Sequence, residues 1–460
     1  MRRRAFLSSI ALAPAASKWG AAAPSGPAGL NVLIFLFDKC RTDSIGAYGG
    51  KNVSTPNIDW LAQTGVRFAN CYTPQALCGP ARASIITGQY PHAHGLRRNV
   101  YPIDPSQNNH NTYPDPVPDP FIDKRFRLWN NFPYLLNSGG YQTGLVGKWH
   151  LGPRNPGFFD MWKGFNSTLP HWIGKPHESA YRPDVHTEQG IEFIEKNAAK
   201  PFFLYQSYYT PHEPLDPPKK YLGLHGAREH DEYYGAVENL DWNVGRIIET
   251  LRKRNILDRT LILLTTEHGR TWIDRAGTIE GMSICYEEAS RIPLIARCPA
   301  VLPQGKVWNA GVTLVDIMPT ILEATNVTAY SPVLAAMTGS GGPPMHGRSL
   351  IAEVRSGRDS WTRPMILENL SQRALQGSQF EDRGIRFENW KMILRRFDDD
   401  PKLRAEELYD LQSDPEETRN VFADAERRGK VRELAAMLRK SAHETGDTLG
   451  AELAAQVTAG

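Results

Sequence analysis

The sequence predicts an α/β fold: a parallel sheet covered by helices on both faces, with a smaller C-terminal α+β unit after it. Three observations predict this. Continuously apolar segments recur along most of the chain, helical patterns separate them, and after a Gly- and Pro-rich break the pattern changes to a hairpin and an amphipathic helix. Asn31 to Phe37 (NVLIFLF) is apolar throughout and rich in branched and aromatic residues, as in strands buried on both faces. Gly144 to Gly147, Pro201 to Tyr209, Thr260 to Thr266 and Pro293 to Arg297 read the same way. Helical patterns run over Asn57 to Thr64 and over Tyr233 to Lys253, the longest. This alternation is that of an α/β sheet. Residues 99–119, dense in Pro and Asn, form a loop, and 329–344, ending GSGGPP, form a second break. Beyond it, Gly384 to Phe397 reads as a hairpin, Glu406 to Leu411 as a further strand and Arg427 to Ser441 as an amphipathic helix. There are no internal repeats.

Composition sets the outer limits. At 460 residues, with 41% hydrophobic and 22% charged residues, the chain can bury a large core, which excludes wholesale disorder. Lys plus Arg number 53 against 50 Asp plus Glu, a net +3 that is too balanced for a dedicated nucleic-acid binder. Five cysteines do not make a disulfide scaffold, and an odd number leaves at least one unpaired. The chain opens MRRRAFLSSIALAPAASKWGAAAP, a charged start, a short apolar run and small residues. The run is too short to span a bilayer and reads as an export signal over residues 1–25. Arg3-Arg4-Ala5-Phe6-Leu7 matches the twin-arginine pattern, which implies a periplasmic or secreted protein. Cleavage after Ala23 removes Arg2, Arg3, Arg4 and Lys18 and takes the balance to −1. No later segment is long and apolar enough for a membrane span.

Chemistry concentrates where strands end. NVLIFLF runs into Asp38-Lys39, TLILLTT into Glu267-His268, GLVG into Lys148-Trp149-His150, and PFFLYQSYYT into Pro211-His212. One polar strand end is ordinary. Four that carry Asp, Glu, Lys and His define a site, because ligands of open α/β sheets bind at the carboxyl ends of the strands. The densest segment is Leu77 to Gly88 (LCGPARASIITG). Pro80 suits a first helical turn, which puts Cys78 at a helix N-terminus, where an anion or an activated nucleophile is favoured. The plainer reading is a buried Cys before a helix.

These residues carry a resemblance. Cys78-x-Pro80-x-Arg82 with Thr87-Gly88 resembles the signature of the type I, formylglycine-dependent sulfatases of the alkaline-phosphatase-like superfamily. Further matching blocks span most of the chain. They are Ser54 to Asp59, Gly147 to Gly152, Pro211-His212, Tyr286 to Glu288 with Arg291 to Leu294, Leu314 to Asp316 through Thr320, Gly347 to Leu350, and Glu407 to Leu411 with Asp414-Pro415. The resemblance implies a large mixed, mostly parallel sheet flanked by helices, in a catalytic domain over 28–340. A small C-terminal domain with an antiparallel sheet and helix follows over 345–460. The activity implied is hydrolysis of a sulfuric ester, of a sulfated carbohydrate or an aryl or alkyl sulfate.

The resemblance further implies that Cys78 is oxidised to formylglycine by a formylglycine-generating enzyme. The hydrated aldehyde supplies two hydroxyls on one carbon, one to attack sulfur and one to release sulfate. By the same resemblance Arg82 holds residue 78, Lys148 binds a sulfate oxygen, His150 is a base, and His212 donates to the leaving oxygen. Asp38, Cys78, Glu267 and His268 match the positions that hold a divalent metal, usually calcium. Three positions depart from the pattern. Lys39 stands where a second carboxylate or a Gln is common, Glu267 where Asp is usual, and Met282 where a Lys is usual. Tuning of the site, compensation of Met282 by the Lys39 charge, and loss of catalysis in a sulfatase-like binding protein are all compatible with these departures. A phosphodiester or phosphonate monoester hydrolase of the same superfamily is a further alternative. It shares the Cys-x-Pro-x-Arg pattern and favours His beside the acidic ligand.

Other residues carry weaker signals. Trp149, Trp172, Tyr208 and Tyr209 are either aromatic walls of the site or core. His92 and His94 either line the pocket or serve a loop, and His171 and His177 lie in a candidate substrate-facing loop. Cys40, Cys71, Cys285 and Cys298 either pair, in one of three connectivities, or remain buried thiols.

Overall fold

The computed structural model describes residues 29–100, 121, 128, 130–272, 284–328, 345–370, 380–397 and 404–459. The proposed export signal and Met282 therefore lie outside the described residues, as does the loop read over 99–119 apart from its first two residues.

The strands in chain order are β1 (Asn31–Phe37), β2 (Val66–Tyr72), β3 (Gln142–Lys148), β4 (Met161–Phe165), β5 (Phe202–Ser207), β6 (Thr260–Thr266), β7 (Arg291–Arg297), β8 (Lys306–Trp308), β9 (Val312–Thr313), β10 (Met365–Leu370), β11 (Phe380–Phe387), β12 (Trp390–Phe397) and β13 (Arg404–Asp410). The larger sheet runs β4-β3-β5-β1-β6-β7-β2-β8, with β9 beside β2. From β4 to β6 every neighbour is parallel, while β7 is antiparallel to both β6 and β2, so the sheet is mixed.

Two-sided burial explains the apolar runs. Along β1, Val32, Ile34 and Leu36 face one core, which includes Ala81, Ile85, Phe132 and Ile321 from helices Cys78–Thr87, Phe132–Ser138 and Ile317–Thr325. Leu33, Phe35 and Phe37 face the opposite core, with Ile58, Phe193, Val237 and Ile247 from helices Pro56–Thr64, Arg182–Asn197 and Arg228–Lys253. A strand covered on both faces has no position for polar alternation, so its polar residues collect at its ends.

The smaller sheet is antiparallel, in the order β10-β11-β12-β13. One face carries Ile366, Ile385, Met392 and Leu408 against Val431, Leu434, Leu438 and Leu453 of helices Arg428–Thr445 and Thr448–Ala459. The other face packs Met365, Leu367 and Ile393 against Tyr72 and Ile284 of the larger unit. The expected hairpin is β11–β12, and the expected amphipathic helix is Arg428–Thr445. Strand β10 and the last helix carry no signal that sequence reading detected.

Candidate active site

Strands β3, β5, β1 and β6 are adjacent and parallel, so their carboxyl ends share one edge of the sheet. That edge gathers the four polar strand ends read from the sequence. Asp38 follows β1, Glu267 and His268 follow β6, Lys148 closes β3 with His150 two residues on, and His212 lies on the turn after β5. All six are at most 8% exposed.

The helix beginning at Cys78 points its N-terminus into this edge. Every one of its residues is buried, and Gly88 ends it in the left-handed conformation (φ 65°). Ligand atoms of Asp38, Cys78, Glu267 and His268 lie within 4.8 Å of one another. Cys78 Sγ is 3.3 Å from His268 Nε2, 3.8 Å from Asp38 Oδ1 and 3.5 Å from Lys148 Nζ. Burial first, and Asp38 second, push the Cys78 thiol above its usual value despite Lys148 and Arg82. As a thiol this group stays protonated and is a weak nucleophile, since the thiolate is the reactive form.

Arg82 sits one turn into the helix and is fully buried. Its guanidinium donates to the Lys148 carbonyl (2.6 Å), Ser207 Oγ (2.8 Å) and Glu267 Oε1 (3.1 Å), and it is 3.7 Å from Asp38 Oδ2. Lys148 Nζ is 2.5 Å from Asp38 Oδ2 and 4.8 Å from the centre of the Tyr209 ring. Burial alone would raise the Asp38 carboxyl. Lys148, His212 and Arg82 outweigh it and hold Asp38 well below the usual carboxylate range. Glu267 goes the other way: burial, with Asp38 adding to it, pushes it well up against the opposing Arg82.

The donor set fits a divalent cation. Glu267 Oε2 is buried without a hydrogen-bond partner, and a raised carboxyl beside a second carboxylate marks a place short of positive charge. His268 Nδ1 lies 2.7 Å from the Gly269 carbonyl, which can only accept. Nδ1 therefore carries the proton, and the Nε2 lone pair faces the ring of ligand atoms. Burial keeps this imidazole below its usual value and hence neutral, as a metal ligand must be.

His150 adopts a left-handed backbone conformation (φ 58°), and burial followed by Lys148 and Arg82 lowers it well below the ordinary histidine range. It is a neutral imidazole, able to take a proton. His212 is lowered too, by burial and then by Lys39. Its ring stacks on Tyr209 with centroids 4.7 Å apart, and Nδ1 is 3.0 Å from the Glu213 carbonyl.

Lys39 pairs with Glu213. Its backbone is left-handed (φ 60°), its side chain is fully buried, and Nζ is 2.9 Å from Glu213 Oε2. The remaining sequence candidates divide. Trp149 and Tyr208 are core residues at 1% and 0% exposure, not walls of the site. His94 is buried against Ser84 Oγ and His92 pairs with Glu368 of β10, so neither reaches the ligand ring. His171 Nε2 donates to the His212 carbonyl, whereas His177 pairs with Asp216 on the rim. All five cysteines are free thiols, so no pairing forms among Cys40, Cys71, Cys285 and Cys298. Sequence reading missed Ser207, Glu213 and Arg270. Of these, only Glu213 left a signal: a lysine at a buried strand end requires a counter-ion.

Comparison with known proteins agrees with the family resemblance read from the sequence. The family model described as Sulfatase matches residues 30–327, and the model described as N-sulphoglucosamine sulphohydrolase, C-terminal, matches 282–444. An N-acetylglucosamine-6-O-sulfatase of Bacteroides thetaiotaomicron is 25% identical over 91% of this chain and 87% of its own. A solved structure described as a complex with its substrate D-glucosamine-2-N,6-O-disulfate superposes with a TM-score of 0.69 at 22% identity, over 91% of this chain and 99% of that one. A phosphonate monoester hydrolase of Agrobacterium radiobacter superposes with a TM-score of 0.66 at 20% identity, over 90% and 96%. At these identities the two solved structures speak to the fold alone.

Proposed function

This chain belongs to the sulfatase family and is a sulfuric ester hydrolase, and on that premise we propose that it removes sulfate from a sulfated carbohydrate through a formylglycine made from Cys78. One observation carries the reading. Cys78 Sγ stands where Asp38, His268 and Lys148 converge, at the N-terminus of a fully buried helix. A protonated thiol there has little to offer a sulfate ester, while an aldehyde hydrate at the same carbon supplies the hydroxyl nucleophile. A formylglycine-generating enzyme is the partner this maturation needs.

The chain's other groups divide the remaining work. Burial would lower the Lys148 ammonium, but Asp38, joined by Cys78 and Glu267, outweighs it and the net shift is upward, so it stays charged and can bind a sulfate oxygen. Arg82 fixes the geometry by tying the β3 end, β5 and Glu267 to the helix of residue 78. His150, neutral, takes a proton as sulfate leaves, and His212 donates to the leaving oxygen. Asp38, Glu267, His268 and residue 78 would hold a divalent cation, which would supply Lewis-acid polarisation of the sulfate oxygens. Calcium is the ion the resemblance implies. The one nitrogen donor, His268, is where a softer ion would compete, and elemental analysis of the purified protein identifies which is held.

Residues 1–25 act as a twin-arginine signal in this proposal, delivering the protein to the periplasm or beyond. Residues 28–340 form the catalytic domain and 345–460 the smaller one. Among the described residues no helix is long and apolar enough to cross a membrane. The His268 donor also suits phosphonate or phosphodiester hydrolysis, so paired kinetics decide the reaction. A 6-O-sulfated amino sugar should be turned over with higher kcat/KM than a phosphonate monoester, and Cys78→Ala should abolish the activity. Preference for the phosphonate would replace the proposal, and full activity in Cys78→Ala would refute it.

A further inference from the structure

The geometry points to Glu213 as the residue that positions His212, with Lys39 as the cation that locks Glu213 in place; this rests on the sulfatase reading above. Glu213 follows His212 directly, and its carboxylate is gripped from two strand ends. Lys39, just after β1, reaches Oε2 at 2.9 Å, and Arg270, just after β6, reaches Oε1 at 2.8 Å. Both cations are buried, at 0% and 9% side-chain exposure, whereas Glu213 keeps 33%. The carboxylate therefore bolts the His212 turn across the edge of the sheet where residue 78 reacts.

The bolt also sets the imidazole. His212 Nδ1 is 3.0 Å from the Glu213 carbonyl and 3.3 Å from Glu213 Oε2. Both oxygens can only accept, so Nδ1 carries a proton, and His212 donates from Nε2 to the leaving group only as the imidazolium, the form that the Glu213 carboxylate beside it favours. The Glu213 carbonyl is itself fixed by Tyr209 Oη at 2.9 Å, and the imidazole stacks on the same tyrosine ring. The Lys39 backbone is pinned through its carbonyl, which accepts from Tyr233 Oη at 2.8 Å. Lys39 thus occupies a position where the resemblance expects a ligand, and serves the leaving-group side instead of the metal. Neither residue touches the sulfate; both act through His212.

Leaving-group dependence tests this, because a donor to the leaving oxygen matters for a sugar alkoxide and little for an activated phenolate. The matured enzyme and its Glu213→Gln and Lys39→Met variants are assayed with a 6-O-sulfated amino sugar and with 4-nitrophenyl sulfate. The expected result is a kcat loss of about 10- to 100-fold on the sugar sulfate. That loss should exceed the loss on the nitrophenyl ester by at least about tenfold, and Glu213→Asp should restore part of it. Equal losses on both esters, or no loss on the sugar ester, overturn the inference. Nitrogen-15 histidine spectra of the wild type give a reading independent of turnover: Nδ1 of His212 should be protonated, and a bare Nδ1 overturns the inference. Wild-type inactivity toward both esters overturns the sulfatase reading itself, and the inference with it.

Discussion

Arg82→Met removes the cation that joins three elements at the site. It leaves the Lys148 carbonyl, Ser207 Oγ and Glu267 Oε1 without the donor each has now at 2.6, 2.8 and 3.1 Å. Because Arg82 and Glu267 are both fully buried, the loss is that of a buried ion pair broken on one side. Such a break costs about 3–5 kcal/mol. The lower end applies here, because Glu267 is already pushed toward its neutral form and can take up a proton once Arg82 is gone. For a chain of this length a loss of about 3 kcal/mol lowers Tm by only a few degrees, at about 1 °C per kcal/mol. A bound divalent cation replaces part of the missing positive charge. The difference between wild type and Arg82→Met should therefore be larger in chelator-treated protein than in metal-loaded protein. Differential scanning calorimetry of both proteins in both states measures it. A chelator-treated Arg82→Met that unfolds within 1 °C of wild type (an order-of-magnitude threshold, about 1 kcal/mol) would refute the assignment of Arg82 as the central tie.

Three further outcomes follow from the same geometry. Chelation should lower the wild-type Tm and added divalent cation restore it, since ligand at about 100 times its Kd contributes about 2.7 kcal/mol; Glu267→Gln should lose that response, and a Glu267→Gln protein still stabilised by the cation would place the metal elsewhere. At the interface of the two sheets, burial pulls His92 down but Glu368 outweighs it and the net shift is upward, while Glu368, though burial would raise it, is held at about 2, chiefly by His92. Stability from His92 is full below its unfolded value of about 6.5 and is lost as pH rises through the raised folded value; that from Glu368 is full above about 4.5 and is lost as pH falls toward 2. Tm should thus fall as pH rises from about 6.5, and His92→Gln should flatten that fall; parallel curves would contradict it. Gly147 precedes Lys148 with φ 98°, and a Cβ there would run into the Ser207 carbonyl; Gly147→Ala should displace Lys148 and cost at least about tenfold in kcat among molecules that still fold, whereas wild-type kcat would show that the strand end tolerates the shift.

The strand ends were legible because two-sided burial leaves polar residues no other place. Asp38, Lys148, His212, Glu267 and His268 could each be read from the residue that stops an apolar run. The helix of Cys78 was legible from Pro80, whose backbone suits a first turn. What was not legible is where long side chains go. Lys39 and Asp38 are neighbours in sequence, yet one faces the ligand ring and the other Glu213, a choice set by a left-handed backbone and a partner 174 residues away. Ser207 reads as an ordinary polar strand end until Arg82 reaches it from 125 residues earlier. Trp149 and Tyr208 sit beside site residues in sequence but point into the core, because alternate strand-end residues face opposite sides of the sheet. The antiparallel β7 is likewise silent, since a buried apolar strand reads the same in either direction.

The central claim is that residue 78 works as formylglycine, and mass spectrometry of the protein purified from its native host tests it most directly. Trypsin should release Phe68 to Arg82, a peptide that holds both Cys71 and Cys78. Cys71 lies buried on β2 outside the ligand ring and serves as an internal control. The account predicts one alkylated thiol, at Cys71, and a mass lower by ~18 Da at position 78. Two alkylated thiols throughout the population would contradict it.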